Sequence, residues 1–503
     1  MSNLERNENF TGFSLVNSTL APTCVLFICI IIMIVFSTTT PIAKPRPVVW
    51  GTEASVTFLS MIVTFVIWFS VKRNRQHFLT NQCRKDVTLN IKLIVFWAFG
   101  LINMFNSALN MGANIDCLLT NGQQPFPLSH VLSILTHLTE IFFCGGQLGF
   151  LSFYSRFCFK PSSLINYGVS LMIIAHLLRW FRLLFDSILR SDYVTWVSLN
   201  SNTTLQEDCF YFSDIASVRS SLDPYISPMI TEYSLLSAAL VVRMCVNVFS
   251  DSSVRTSHVE EEPRSNSEET STTEEPSSSE MITRRTTTFV SLASGIVLSL
   301  PLLISYLYSS SNKNDSSNIF RIISTVYEIQ LLALLFLVKW KFKCRFYEIS
   351  GKQTMSWGYQ TIMVFVTSGT VGYETFGGIA GLMNSKEPSG LLLFINKILQ
   401  TLVVIIQAML ILDMKNISLR PRSIRVKYFR VNRIFLCIFT MNILRWLVDS
   451  IVMGTSTDAT IIQRQFYGHV YWRTIEHTVF PINVFYRFLT AIEMYELYSN
   501  TNH

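Results

Sequence analysis

The sequence predicts an all-α polytopic membrane protein: twelve transmembrane helices in two pseudo-symmetric six-helix halves, with both termini cytoplasmic. Half of the 503 residues are apolar, and only 15% are charged, against about 25% in soluble proteins. The apolar residues lie in continuous runs of about 20, the length that one helix needs to cross a membrane. Because these runs do not alternate with polar residues, helices are favoured over a β-barrel.

Short basic loops separate the apolar runs and set the topology. Lys and Arg concentrate in loops 72–88, 155–161, 339–352 and 415–433, which the positive-inside rule places in the cytoplasm together with both termini. The predicted spans are residues 20–37, 50–71, 89–112, 131–153, 165–188, 224–247, 286–308, 319–340, 358–383, 389–412, 430–452 and 468–496.

The predicted outer loops carry candidates for covalent modification. The sequons at Asn202 and Asn314 fall outside and are candidate glycosylation sites. Cys117 and Cys209 also fall in outer loops and are candidates for a disulfide.

One segment differs in composition from the rest. Residues 251–285 are rich in Ser, Thr and Glu and contain no aromatic residue, so this segment cannot bury a core and is expected to be disordered. It separates an N-terminal half, residues 1–250, from a C-terminal half, residues 286–503. Either it is a passive cytoplasmic linker or it is a loop regulated by phosphorylation.

The two halves repeat a set of polar residues on corresponding helices. A Pro precedes a Tyr by five positions in the sixth span of each half, and an Arg-Trp pair recurs in the fifth. The fourth spans each carry two polar residues seven positions apart, hence on one helix face. Each half therefore has a polar residue on its fourth, fifth and sixth helices. These residues are Gln147, His176 and Tyr233 in the first half, and Gln407, Asn442 and Tyr486 in the second.

Several titratable residues lie within the predicted spans, where a charge is costly and usually functional or paired. Glu232 precedes the repeated Tyr233, and the second copy has Phe485 in its place. In the fourth span a stripe of His and Glu suits a proton or ion path, or equally a hydrogen-bonded seam between helices. Histidine titrates near neutral pH. The candidate acid sensors near the outer face are His130, His137, Glu140, His469, Glu476 and His477.

Two further pairs have the spacing of structural ion pairs. Arg182 precedes Asp186 by four residues, and Arg445 precedes Asp449 by four, so each pair shares a helix face.

The sequence lacks the motifs that are typical of several other classes of protein. The chain has no Walker A motif, no serine elbow, no paired catalytic carboxylates and no potassium-filter repeat, and it lacks His/Cys metal spacing. An enzyme, a nucleic-acid-binding protein and a resident metal or cofactor are therefore not expected.

At the repeated positions the chain resembles the otopetrin family of proton channels. The matching stretches are YISPMITEYSLLSAAL in the sixth span, NILRWLVDS in the eleventh and FPINVFYRFLTAIEMYELY in the twelfth, with weaker matches in the fourth, fifth and tenth. The resemblance implies proton conduction down the gradient, gating by outside pH, modulation by zinc, and a homodimer with sterol or lipid between the halves.

The resemblance also implies a Gln, Asn or Asp, and Tyr triad in each half. The second half matches as Gln407, Asn442 and Tyr486; the first departs with His176 at the middle position. Leu489 and Asn110 stand where the family often has His and Glu, respectively. The chain is thus interpreted as a divergent proton-selective channel of the plasma membrane. The alternatives are a proton-coupled secondary transporter and a non-conducting receptor or scaffold with the same fold.

Overall fold

The structure is a computed structural model. It describes residues 24–25, 28–32, 47–80, 88–120, 127–160, 162–199, 214–244, 278–311, 316–343, 347–352, 357–415, 417–421, 425–455 and 460–500. The described part is almost entirely helical, as the apolar runs predict. Of the first predicted span, 20–37, only residues 24–25 and 28–32 are described, and they are helical.

Eleven long helices and two short ones follow in chain order within the described ranges. They are α1 (Pro47–Arg73), α2 (Arg75–Phe78), α3 (Leu89–Thr120), α4 (Pro127–Tyr154), α5 (Ser163–Leu199), α6 (Asp214–Arg243), α7 (Ser278–Ser311), α8 (Ser316–Lys343), α9 (Trp357–Met383), α10 (Pro388–Lys415), α11 (Arg425–Thr455), α12 (Ile461–Tyr467) and α13 (His469–Asn500). Three of them begin at a Pro, whose fixed φ suits the first helical position and whose missing N–H is not needed there.

Seven helical stretches are long and apolar enough to cross a membrane. They are Val48–Arg73, Leu89–Leu119, His130–Tyr154, Ser163–Leu183, Thr286–Tyr308, Asn318–Lys341 and Pro388–Lys415. The helices α6, α11 and α13 are more polar along their length and also carry buried acidic or basic side chains. The described chain is therefore a polytopic helical membrane protein, consistent with the predicted fold class.

The outer surface of the helices is apolar. On α1 the exposed large side chains recur at helical spacing, and α3 and α4 have matching exposed stripes. These residues include Phe58, Leu59, Ile62, Phe65, Val66 and Phe69 on α1, and Leu101 and Phe105 on α3. Contiguous exposed apolar faces of this size are typical of surfaces that contact lipid.

The chain forms two compact units. The first contains residues 1–246, 368–394 and 447–486, and the second contains residues 247–367, 395–446 and 487–503. In the first unit α1, α3, α4, α5 and α6 pack together as a bundle. Gly100 on α3 allows a close approach to α4, because a Cβ there would lie 2.7 Å from a methyl group of Leu148.

Two short antiparallel sheets join loops that the sequence predicts to be cytoplasmic. In the first unit β1 (Leu79–Thr80) pairs with β2 (Cys158–Phe159), and the N–H of Phe159 donates to the carbonyl of Met244 at the end of α6. In the second unit β3 (Tyr347–Lys352) pairs with β4 (Ile417–Pro421). Such pairing requires the joined loops to lie on the same side of a membrane.

Several helices extend beyond their predicted ends, and in two of them this changes an interpretation. The helix α3 continues to Thr120, so Cys117 is buried in its last turn and not in a loop. The helix α7 begins at Ser278, inside the segment predicted as a linker, and the rest of that segment lies outside the described residues. The extra turns are polar. They lie outside the apolar run from which a span is predicted, so the sequence does not indicate them.

Candidate functional site

A buried cluster of charges lies in the first unit, centred on Glu140 of α4. One carboxylate oxygen, Oε1, faces α5, where Arg179 Nε lies at 3.3 Å and Arg182 Nη2 at 3.0 Å. All three side chains are at least 95% buried. Because a buried carboxylate is stabilised only by paired charges and hydrogen bonds, the two guanidinium groups hold Glu140 in its ionised form.

A second carboxylate belongs to the same cluster. Arg182 Nε also forms an ion pair with Oε2 of Glu53, a fully buried residue of α1. The guanidinium of Arg182 lies 4.7 Å from the ring centre of Trp50, one turn before Glu53 on α1. The negative charges of the two carboxylates balance the positive charges of the two guanidinium groups. The cluster joins α1, α4 and α5.

The other oxygen of Glu140, Oε2, faces the interface between α3 and α4. Ser107 Oγ donates a hydrogen bond to it over 2.8 Å, and His137 Nδ1 lies 3.1 Å from it. A carboxylate only accepts, so Nδ1 of His137 carries the proton and donates it. The His137 ring also packs edge-on against Trp50, with 5.3 Å between ring centres.

A stripe of polar side chains on α3 faces this interface. Asn103, Asn106, Ser107, Asn110 and Asn114 share one helix face, and all are at least 92% buried. At one end Asn103 Oδ1 accepts a hydrogen bond from Arg179. At the other, Asn114 Oδ1 lies 2.9 Å from Nδ1 of His130. The polar seam between α3 and α4 thus runs from His130 to the charge cluster.

The repeated polar residues of the first half lie deeper in the same bundle. Gln147 Nε2 donates to Thr64 Oγ1 over 2.9 Å, while its Oε1 is buried without a hydrogen-bond partner among the described residues. His176 is fully buried between aromatic rings, 5.1 Å from Phe143 and 5.8 Å from Tyr233. Neither of its ring nitrogens has a hydrogen-bond partner within the described part of the chain.

Tyr233 and Glu232 are the two candidate proton-path residues of α6. The Tyr233 ring stacks on Phe96 of α3 at 5.3 Å and meets His176 edge to face. Glu232 is buried. The structure therefore brings His176 and Tyr233 into contact, as two members of one predicted triad.

The second-half triad is also buried. Gln407 of α10 and Asn442 of α11 are fully buried in the second unit. Within the described ranges, no hydrogen-bond partner is found for the side-chain oxygen and nitrogen of Gln407 or for Oδ1 of Asn442. The amide nitrogen of Asn442 donates to the carbonyl of Ile438 over 3.0 Å. Tyr486 of α13 is fully buried.

The second unit has its own buried charge contacts. Arg487 Nη2 lies 3.5 Å from Oε1 of Glu328, and Lys415 pairs with Glu493 and, over 3.1 Å, with Oε2 of Glu496. These contacts join α8 and α10 to α13, because Arg487, Glu493 and Glu496 all lie on that helix. Because these charges are buried, removing one member of a pair leaves the other charge uncompensated and destabilises the protein.

The Arg residues of the two predicted ion pairs, Arg182 of α5 and Arg445 of α11, contact side chains on neighbouring helices, and their pairing with Asp186 and Asp449 stays a prediction. Arg182 contacts Glu53 and Glu140, and the side chain of Asp186 lies outside the description. Arg445 Nη1 donates to Ser324 Oγ over 3.1 Å, and Asp449 is buried on the same helix. An i, i+4 spacing permits a pair, but partners on neighbouring helices compete for the same guanidinium group.

The remaining candidates are only partly described. Glu476 lies 3.5 Å from Arg464 Nη2 in the first unit, and both are partly buried. The side chains of His469 and His477, together with residues Cys209, Asn202 and Asn314, lie outside the described part. Among the residues described, no three His, Cys, Asp or Glu side chains are grouped as metal ligands.

Sequence reasoning missed several residues of the cluster. Glu53 could have been found as the one acidic residue in the apolar run of α1, and the α3 stripe could have been found by its three- and four-residue spacing. Ser107 gives no such signal, because a single Ser in an apolar helix usually bonds to its own backbone.

An apolar exterior, a polar helical interior and paired buried charges define an integral membrane protein with a polar intramembrane core. The Otopetrin family model matches residues 192–488, which is more than half of the chain. The chain belongs to the otopetrin family, a family of membrane channels. A comparison with curated proteins gives no significant match.

Proposed function

We propose that this protein is a proton-selective channel of the plasma membrane that carries protons down their gradient and opens on extracellular acidification. The observation that carries the proposal is a set of buried polar atoms at the repeated positions that have no hydrogen-bond partner among the residues that the structure describes. These atoms are Oε1 of Gln147, both ring nitrogens of His176, both amide atoms of Gln407 and Oδ1 of Asn442.

Buried polar atoms are nearly always hydrogen-bonded, and those without a protein partner are usually bonded to internal water. A chain of water molecules and side chains is sufficient to move a proton, because each step only transfers a hydrogen between neighbours. The amides of Gln147, Gln407 and Asn442 cannot titrate near neutral pH, so their role is to orient water. Tyr233 and Tyr486 are the third residues of the two repeated sets; the Tyr233 ring meets His176 at 5.8 Å between ring centres, and Tyr486 is fully buried.

Titratable side chains supply the groups that can hold a proton. In the first half these are His176 and Glu232, both buried. The residues assigned to acid sensing are the fourth-span group His130, His137 and Glu140 and the twelfth-span group His469, Glu476 and His477. In the second half Asn442 replaces His176 and Phe485 replaces Glu232, so the two halves differ in proton handling.

The proposed assembly is the one that the resemblance to the otopetrin family implies. We propose a homodimer with sterol or another membrane lipid between the halves of each chain and with zinc as an external modulator. The exposed apolar faces of α1, α3 and α4 provide the lipid-contacting area that such an assembly needs.

Whole-cell recording in transfected cells, with an external acid step and no permeant ion except protons, tests the proposal. A steady inward current whose reversal potential follows the proton gradient supports the channel. A current that requires a second substrate in fixed ratio would indicate a secondary transporter. No current, together with normal surface expression, would indicate a receptor or scaffold.

A further inference from the structure

We propose that Ser107 and Asn114 of α3 are positioning residues that orient His137 and His130 as two proton-accepting stations of an outer entry seam between α3 and α4. This inference rests on the proposed proton conduction and names the side chains that control its acid response. Neither α3 residue belongs to the repeated polar set.

The first argument is the orientation of the two imidazole rings. His137 donates its Nδ1–H to Oε2 of Glu140, because the carboxylate can only accept. The side-chain amide N–H of Asn114 donates a hydrogen bond to the carbonyl of Asn110 over 2.7 Å. The Oδ1 of Asn114 is therefore left to accept a hydrogen bond from Nδ1 of His130. Both rings therefore present Nε2 as the nitrogen that takes the next proton.

The second argument is the placement of the two rings along one helix. His130 and His137 are seven residues apart on α4, so they lie on one face and about 10 Å apart along the axis. Both are at least 92% buried, and buried polar residues of α3, including Asn110, line the interval. The spacing is too long for direct transfer and suits a short water chain.

The third argument is the charge around His137. Its charged neighbours are Glu140 on its own helix, Arg182 on α5 and Arg219 on α6, and Glu140 and Arg182 link it to Arg179 and to Glu53 on α1. The two carboxylates balance the guanidinium groups of Arg179 and Arg182. A proton bound at Nε2 of His137 therefore adds a positive charge that Glu140 must stabilise, and Ser107 controls how strongly Glu140 can do so.

His130 has simpler surroundings. Its described hydrogen-bond partner on α3 is Asn114, and the nearest charged residue along α3, Asp116, follows two positions later on another side of the helix. Asn114 Oδ1 stabilises the protonated ring by accepting its Nδ1–H. Without that acceptor the ring binds a second proton less readily.

These roles predict opposite effects. In Ser107→Ala, Oε2 of Glu140 loses a donor and accepts more strongly from His137, so protonation becomes easier. The pH of half-maximal current should then rise by about one unit, the equivalent of a tenfold change in proton affinity. In Asn114→Leu, protonation of His130 becomes harder, and the same pH should fall by a similar amount.

A matched control lies on the same pair of helices. Ser152 of α4 accepts a hydrogen bond from Trp97 Nε1 of α3 over 2.8 Å, on the exposed side of the interface and away from the seam. Ser152→Ala therefore removes one α3–α4 hydrogen bond without touching either His, and its pH of half-maximal current should equal that of the wild type.

The experiment measures acid-evoked proton current against external pH for the wild type, Ser107→Ala, Asn114→Leu and Ser152→Ala, at matched surface expression. Ser107→Thr, which keeps the hydroxyl, should restore the wild-type profile. If Ser107→Ala does not reach the surface, Ser107→Cys replaces it and should shift the profile in the same direction, because a thiol is a weaker donor than a hydroxyl. Opposite shifts in the two seam variants support the inference. Unchanged profiles, shifts in the same direction, or a shift in only one variant would overturn it while leaving the channel intact. A wild type without current would contradict the proposed function and this inference together.

Discussion

Arg182 of α5 forms a buried ion pair with Glu140 of α4, with 3.0 Å between Nη2 and Oε1. The same guanidinium contacts Glu53 of α1, so one side chain holds three helices of the first unit together. Most buried charges in membrane helices require such partners, because the surrounding lipid cannot solvate them.

Replacing Arg182 by Met should destabilise the protein strongly, because it leaves two buried carboxylates with less compensation. Removing one partner of a buried pair costs about 3–5 kcal/mol. Thermal denaturation of the detergent-solubilised protein, followed by size-exclusion chromatography, measures the loss. Adding Glu53→Gln to Arg182→Met should recover part of it, since one uncompensated charge is then removed. Equal melting of the single and double variants would contradict the pairing.

Gly295 of α7 should not tolerate a side chain. A Cβ there would lie 2.6 Å from Cβ of Thr440 and 2.9 Å from the backbone oxygen of Cys437 on α11, so the two helices would have to separate. Gly295→Ala should therefore lower the melting temperature.

Gly372 of α9 is the matched control for this substitution. Among the described residues, no neighbouring atom lies within 4 Å of a Cβ placed at Gly372, so Gly372→Ala should leave the melting temperature unchanged or raise it slightly. Equal melting temperatures of Gly295→Ala and Gly372→Ala would contradict the close packing of α7 against α11 at Gly295.

Much of this architecture could be predicted from the sequence. The apolar runs from 50–71 onwards each coincide with a helix, because burial in lipid makes the length of an apolar run a direct signal. Helix ends were less accurate. The helix α5 extends to Leu199 and α6 begins at Asp214, beyond runs predicted as 165–188 and 224–247, since polar turns outside the membrane give no hydropathy signal.

Partners on different helices could not be predicted. The sequence indicates that Glu140 and Arg182 are polar residues in spans, but only the packing of α1, α4 and α5 shows that they meet each other and Glu53. The spacing of Arg182 and Asp186 predicts a pair within one helix, but spacing considers one helix at a time and gives no sign of the partners that Arg182 has on α1 and α4. Lys415, interpreted only as a basic loop residue, pairs with two Glu residues of α13.

Lys415→Met should destabilise the second unit by about 3–5 kcal/mol, because Glu493 and Glu496 lose the buried ammonium group between them. Lys415→Arg keeps the charge and should recover much of the stability. Lys339→Met is the control, since Lys339 of α8 is an exposed Lys of the same unit. Melting temperatures of the three variants give the comparison, and similar losses in Lys339→Met and Lys415→Met would contradict the charge pairing.

His176→Asn should preserve proton current, because an amide at this position could orient water in the way proposed for Asn442 in the second half. His176→Leu should reduce the current several-fold, because it removes the only polar group that this position of α5 supplies between Phe143 and Tyr233. The measurement is acid-evoked current normalised to surface expression. Wild-type current in His176→Leu would exclude this position from the path.

The most direct test of proton conduction is the reversal potential of the acid-evoked current in cells that express the wild-type chain, with Gln147→Leu/Gln407→Leu recorded in parallel. We expect a wild-type reversal potential that follows the proton gradient as external pH is changed, and a strong reduction of that current in the double variant. A reversal potential that follows another ion, or a double variant that conducts like the wild type, would contradict a proton path along the repeated polar residues.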